Sequence, residues 1–437
     1  MELNPHPAAS GAGAIGRRLL RRVIDARPDE LKALGWSWLY IFSVFSSYYV
    51  IRPIRDEMGV AGGVENLPWL FTGTLVAMIA ANPLFAALVA RLPRARFISA
   101  AYRFFIANLL LFCLLLGIAG VEQNIWVGRL FFIWTSVFNL FVVSVFWALM
   151  VDLFDSGQGK RLFGFIAAGA TLGSILGSSL TAVLARHVGS IYLLLGSAVL
   201  LEVAVFSVRR LSRLSEALGV RPAARVDEAP IGGNLLSGLT HAFNSPYLLG
   251  ISVYMLLYAI TSTFLYFQQA SIVNAGFTDR VARTEFFAHV DLAVNTLTLG
   301  AQLFLTERLL RLLGVALTLT LLPALSVLGF ATVGLAPTVA VIVAFQVLRR
   351  AGNFAVARPT REVLFTVIPR EDKYKAKSFI DTVVYRSGDQ LGAWSFALLS
   401  FIGLGLTGIA FVAVPVSAAW LLNGLWLGRK QETMAGR

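Results

Sequence analysis

Residues 126–152 read WVGRLFFIWTSVFNLFVVSVFWALMVD, and from Leu130 to Val151 no side chain is charged. About 20 apolar residues wound as a helix cross the roughly 30 Å of hydrocarbon in a bilayer, and isolated core helices of soluble domains rarely look like this. The stretch therefore reads as a membrane span. On either side of it lie further runs of the same kind, separated by Gly, Pro and charged breaks. Before a polar connector these are 33–55, 68–90, 97–119, 161–185 and 190–208; after it come 247–272, 284–306, 314–334, 337–362, 375–402 and 405–428.

Composition agrees, with 57% hydrophobic and 14% charged residues and a mean hydropathy of +0.73. Soluble domains carry about 45–50% and about 25%. The formal net charge of +13 would suit a nucleic-acid partner. The basic residues, however, are dispersed among short segments between apolar runs, with no basic tract beside stacking aromatics in a soluble module, so no nucleic acid is expected. Cys113 is the only cysteine and lies inside a run, which rules out an intramolecular disulfide and a cysteine metal site. Residues 1–31 hold no apolar signal core; Ile15, Leu19, Leu20, Val23 and Ile24 stand at helical spacing opposite Arg17, Arg18, Arg21 and Arg22. A short helix on the cytoplasmic membrane surface is expected there.

Lys and Arg set the orientation. On one side fall the amino-terminal arginines, Arg91, Arg94, Arg96, Lys160, Arg161, Arg209, Arg210, Arg213, Arg308, Arg311, Arg370, Lys373, Lys375, Lys377, Arg429 and Lys430. The opposite loops carry only Arg186, His187, Arg280 and Arg283. Both termini are therefore expected in the cytoplasm of a cell inner membrane. The connector 209–246 includes Arg221, Arg225, Asp227 and Glu228 and is too short for a catalytic domain. The expected organisation is an amphipathic segment 1–31, a six-helix bundle 32–208, a cytoplasmic linker 209–246 and a second six-helix bundle 247–437 with a short tail. An all-α integral membrane protein with twelve transmembrane helices in two such bundles is the layout of the major facilitator fold. Gly169, Gly173 and Gly177, four apart, give one helix a stripe on which a neighbour's backbone can close.

Charged side chains at membrane depth cost about 2.5–3.5 kcal/mol each on insertion scales, so they point to a cavity or pathway. The first helix carries Arg52, Arg55, Asp56 and Glu57, the two arginines three apart on one face. In the fourth stand Asn139, Trp147 and Asp152, with Lys160 just beyond. The eighth opens with Glu285, His289 and Asp291; Glu285 is one turn from His289 and could fix its tautomer or raise its proton affinity. Arg349, Asn353, Arg361 and Glu362 continue the tenth, and Lys377, Asp381, Arg386 and Asp389 the eleventh, where Arg386 shares a face with Asp389. Substrate binding is expected of Arg52, Arg55, Asn139, Trp147, Lys160, Arg349, Asn353, Arg361, Lys377 and Arg386, because guanidinium forks suit phosphate or carboxylate. Coupling or gating is expected of Asp56, Glu57, Asp152, Glu285, His289, Asp291, Glu362, Asp381 and Asp389.

Gly159-Lys160 lacks the earlier glycine and the following Ser or Thr of a phosphate-binding loop, and no nucleophile elbow or histidine metal motif is present. No enzyme activity, cofactor or metal is expected. At Ile51-Arg-Pro-Ile-Arg-Asp56, Gly159-Lys-Arg-Leu-Phe-Gly164, Arg361-Glu362 and Lys375-Ala-Lys-Ser-Phe-Ile-Asp381 with Arg386, the sequence resembles the ATP/ADP translocase family, nucleotide transporters of the major facilitator type, and in particular its short bacterial relatives. It departs from the family in having Arg55 where Lys would stand and Asp389 near a position that would be basic. The resemblance implies transport of an anionic, phosphorylated solute; the leading expectation is an exchanger or importer of a nucleotide-like or otherwise phosphorylated organic anion working by alternating access, and a monomer among membrane lipid is expected. The alternative is a proton-coupled transporter of a different solute or a lipid, which Glu285, His289 and Asp291 favour; a scaffold without transport is a third reading.

Overall fold

The computed structural model describes the backbone of residues 27, 28, 30–91, 94–119, 125–154, 156–217, 245–368, 376, 377 and 379–435. The expected surface helix of 1–31 and most of the connector lie outside these residues. Helices are α1 (Leu31–Ala61), α2 (Leu67–Arg91), α3 (Arg94–Ala119) and α4 (Ile125–Leu153). The run Ser156–Ala217 is two helices, α5 (156–188) and α6 (190–217), divided at Gly189, whose φ of 75° is open to a residue without Cβ. Then come α7 (Pro246–Gly276), α8 (Arg280–Phe304) and α9 (Thr306–Leu335), the last broken at Gly314. α10 (339–364) contains a π-helical turn at Asn353–Ala357, α11 (379–401) another at Ile380–Val384, and α12 is Leu406–Ala435.

Each apolar run of the sequence coincides with one of these helices. The helix starts follow side-chain chemistry: Ser245, Asp279 and Thr338 accept backbone N–H bonds from the first turns of α7, α8 and α10. α6 continues to Ala217 rather than stopping near 208, and α1 continues to Ala61, so Arg52 to Glu57 lie inside that helix and not at its end. Eight helical stretches among the described residues, one of them the α5–α6 pair, are long and apolar enough to cross a membrane. α1, α8 and α11 are not among them. Each carries charged residues singled out above, as do α4 and α10, which qualify.

α1 and α5 cross backbone to backbone. A Cβ on Gly173 would meet the Phe42 carbonyl oxygen at 2.4 Å, and one on Gly177 the Ser46 carbonyl oxygen at 2.3 Å. The glycine stripe therefore faces a helix and not lipid. α11 crosses α7 in the same manner: a Cβ on Gly388 would meet Leu256 O at 3.0 Å, and one on Gly392 would meet Ile260 O at 3.1 Å. The first and fifth helices before the connector thus pack as the first and fifth after it, a structural repeat that the sequence hides.

One apolar cluster, with Tyr40, Tyr102, Phe131, Phe138 and Phe146, fills the helices before the connector. Another, with Tyr254, Phe365 and Trp420, belongs to those after it. A third joins the two sets, bringing Val60, Leu67, Leu70 and Phe132 against Phe264, Phe267, Phe330 and Phe345. At the start of α1, Glu30 accepts Arg27 N–H at 2.8 Å, Gln158 Nε2 at 3.0 Å and Arg161 Nη2 at 2.9 Å. Burial works to raise the pKa of Glu30, but these donors together hold it below its ordinary value of 4.5.

Candidate functional site

The second half of α1 meets α7, α8 and α10 in a cluster of charge. Arg52 Nη1 lies 3.0 Å from Asp291 Oδ1 on α8, and Arg350 Nη1 on α10 lies 2.7 Å from the same oxygen. Asp291 is only 2% exposed. Its Oδ2 has no hydrogen-bond partner, nor has Arg350 Nη2. Arg55 pairs with Asp56 at 2.7 Å, donates to Ser136 Oγ at 3.2 Å and stacks over the Phe132 ring at 3.7 Å. Asp56 also accepts from Tyr266 Oη of α7 at 3.0 Å. Three guanidiniums thus share two carboxylates in a largely enclosed space, leaving one positive charge in excess.

Further contacts between the helix sets gather towards the same end of the molecule. Glu57 takes Arg280 Nε and Nη2 at 2.7 and 3.0 Å, and Glu285 takes Arg186 Nε and Nη2 at 3.1 and 2.7 Å. Both are bidentate. Asn295 reaches Ser178 Oγ at 3.4 Å, and Thr72 donates to Gln390 Oε1 at 2.9 Å while accepting from Trp394 Nε1 at 3.1 Å. Beside them Phe71 packs against Phe267 with ring centroids 5.3 Å apart. Ion pairs and an aromatic plug close this end together.

The remaining expected residues divide by location. Arg349 is buried inside the second helix set. It donates to Ser326 Oγ at 3.1 Å, Tyr258 O at 3.2 Å and Thr261 Oγ1 at 2.7 Å, between the Tyr258 and Trp420 rings. Arg361 lies 3.3 Å from Asp381 and touches Met255, and Lys377 pairs with Glu362. Arg386 and Asp389 pair at 3.1 Å, as their spacing suggests, and Asp389 is within electrostatic reach of Arg55 on α1. Asn353 opens the π turn of α10, whose carbonyls at Phe354 and Ala355 are taken by Gln302 and Thr306. On α4, Asn139 is half-buried and Trp147 packs edge-on against Phe146 and Phe163. Asp152 is half-buried near the end of α4, and Lys160 stands on α5 with its side chain outside the described residues.

One expectation is corrected. Glu285 does not hold the His289 imidazole: its carboxylate is taken by Arg186, and His289 Nδ1 faces the Glu285 backbone carbonyl at 2.8 Å. Arg186, near the end of α5, takes that carboxylate with both Nε and Nη2. The sequence also passed over Tyr266 and counted Arg280 and Arg186 as loop charges. Arg350, next to Arg349 on α10, was not singled out from the sequence, and its place in the cluster comes from its contact with Asp291.

No protein-family model matches the chain. It is 20% identical to ADP,ATP carrier protein 2 of Chlamydia pneumoniae across 91% of this chain and 88% of that protein. Its fold is similar to a bacterial homologue of the iron transporter ferroportin in the inward-facing state, with a TM-score of 0.61 at 13% identity over 92% and 98% of the two chains. A POT family peptide transporter gives 0.61 at 17% identity over 93% and 97%. The chain has the major facilitator fold. In that fold the charge cluster lies on the boundary between the helices before the connector and those after it, where a relative movement of the two sets would make or break its contacts.

Proposed function

We propose that the chain is a secondary transporter, an exchanger or importer, of a nucleotide-like or other phosphorylated organic anion, working by alternating access. The observation that carries this reading is the surplus guanidinium of the Arg52, Arg55 and Arg350 cluster, drawn from both helix sets and paired, among the described residues, with Asp56 and Asp291. An anion bound between the sets would relieve that charge, and guanidinium forks match phosphate and carboxylate geometry. Similarity to an ADP,ATP carrier over most of both chains supports the same class of solute. The pairs Glu57–Arg280 and Glu285–Arg186 then act as the gate at one end, and both termini lie in the cytoplasm of the inner membrane, on the bias of basic loop residues. Arg361, Lys377 and Arg386 offer further cationic contacts towards the opposite end, whereas Arg349, expected to bind substrate, is spent on Ser326, Tyr258 and Thr261 inside the second helix set.

The test is ligand-induced thermal stabilisation of the purified protein against nucleotides and phosphorylated metabolites, followed by uptake into proteoliposomes. For a ligand so found, Arg52→Lys and Arg350→Lys each weaken binding about tenfold, and the Gln variants weaken it more, because Lys keeps the charge and loses the fork. Unchanged affinity in both Arg52→Gln and Arg350→Gln rejects the anion site.

A second reading, proton-coupled transport of a different solute, is favoured by Asp389, a carboxylate 7% exposed that reaches Thr263 Oγ1 at 3.5 Å besides Arg386. The two separate by driving force. Uptake that needs the exchanged anion inside the vesicle and ignores an imposed pH gradient supports exchange, and the reverse supports the second reading.

A further inference from the structure

The outer surface of the first helix set carries an ion pair that lies outside the charge cluster. Arg103 Nη2 on α3 meets Glu202 Oε1 on α6 at 3.0 Å, with the side chains 49% and 51% exposed. Both sit within apolar stretches. Arg103 is six residues inside Phe97–Ile118, about 9 Å of helix, and Glu202 is six residues before Val208, where the apolar run gives way to Arg209 and Arg210, again about 9 Å. Their exposed neighbours Phe104, Leu111, Val199 and Phe206 are apolar. This surface therefore faces hydrocarbon, yet charges in membrane spans almost always turn to the bundle interior. A half-open pair in lipid lacks the water that would satisfy its remaining N–H groups and oxygens. The face is also low in relief beside the pair: Ala107 is exposed, and a Cβ on Gly196 would meet nothing within 4 Å.

We propose that the α3–α6 face is the contact with a second copy of this chain. The charges are self-complementary. A two-fold axis along the bilayer normal, passing between two such faces, sets Arg103 of one copy against Glu202 of the other and keeps both copies in the same orientation. Each carboxylate then lies between two guanidiniums, and the small residues let the helices approach. A phospholipid phosphate could serve Arg103 but would meet Glu202 as a like charge, so charge complementarity favours protein over lipid. This proposed dimer stands against the monomer expected from the sequence.

The full chain, carrying one dye at its carboxyl end, is reconstituted at low density into phospholipid vesicles, and subunits are counted by photobleaching. Wild type bleaches in two steps. Arg103→Glu and Glu202→Arg, each placing like charges across the axis, lower the paired fraction at least about tenfold. Mixed together in two colours, these variants pair again, since each supplies the sign that the other lacks. Helical circular dichroism and monodisperse elution establish folding; if either charge reversal fails there, Gly196→Trp, at an exposed position of α6 where an added Cβ would meet nothing within 4 Å, must lower the paired fraction instead. Single-step bleaching of wild type at every density overturns the proposal, as does pairing that survives Gly196→Trp or folded charge-reversal variants that do not pair when mixed. Wild type that is monomeric and retains anionic lipid which Arg103→Gln does not retain assigns the face to lipid.

Discussion

Glu57 and Arg280 make two hydrogen bonds at 2.7 and 3.0 Å across the boundary between the helix sets, with the carboxylate side chain 4% exposed. Removing one member of such a pair leaves the other charge buried without compensation, which costs far more than the pair contributes. Glu57→Gln should therefore weaken closure of that end while leaving the fold of each helix set intact. The readout is the rate at which a membrane-impermeant maleimide, applied from the side of the Gly62–Gly63 turn, labels Ser136→Cys in a Cys113→Ala background. That rate should rise several-fold over the same cysteine with Glu57 present. An unchanged rate would mean that the aromatic plug closes the end without help from the ion pair. Asp291 belongs to the same scale: one oxygen serves two arginines while its other oxygen has no partner, so it is the carboxylate a bound anion would most readily displace.

Among elements, the α1–α5 and α7–α11 crossings set the tolerances. Gly173→Leu drives a side chain into the Phe42 carbonyl, and Gly388→Leu does the same against Ala259 and Leu256. Each should lower folding yield and the melting temperature, by more than the roughly 1–3 kcal/mol of ordinary overpacking because backbone cannot step aside. Gly164→Leu, whose Cβ meets nothing within 4 Å, is the control on the same helix. Equal yield and melting temperature in all three variants would refute the crossings. The helices themselves were legible in the sequence because apolar runs and Lys or Arg breaks are local signals. The first crossing was visible only as a glycine spacing. The second was not, since Gly388 and Gly392 sit among Arg386, Asp389 and Gln390, where charge draws the eye and period does not.

At the scale of the whole molecule, the proposed orientation would put both ends of the chain in the cytoplasm. A protease site appended after Arg437 should be cut in inverted vesicles and spared in intact cells, while a cysteine at Gly63 shows the opposite access; any other result inverts the orientation and the gate with it. At this scale the sequence yielded the fold class and four of the five charged residues of the cluster: Arg52, Arg55, Asp56 and Asp291 stood out because they interrupt apolar runs. Their partnerships did not. Whether Arg52 meets Arg386 or, through Asp291, Arg350 depends on how two helix sets dock, and residue spacing within one helix carries no information about that. Tyr266 was illegible for a simpler reason, since a lone phenol among aromatics looks like core until a carboxylate is placed beside it.

The π turn at Asn353–Ala357 changes which arginines of α10 look the same way. A regular helix advances about 100° per residue, so the twelve steps from Arg349 to Arg361 would leave them about 120° apart, and the eleven from Arg350 would bring Arg350 and Arg361 within about 20°. One residue absorbed in the wider turn shifts the phase by a single step. Arg349 and Arg361 then fall into line, and Tyr254 on α7 feels the charge of both. Arg350 is rotated out of that line and left to Asp291. The bulge thus sorts three cations of one helix into a column within the second helix set and a single contact across the boundary, an assignment that a shift of one residue in the turn would reverse.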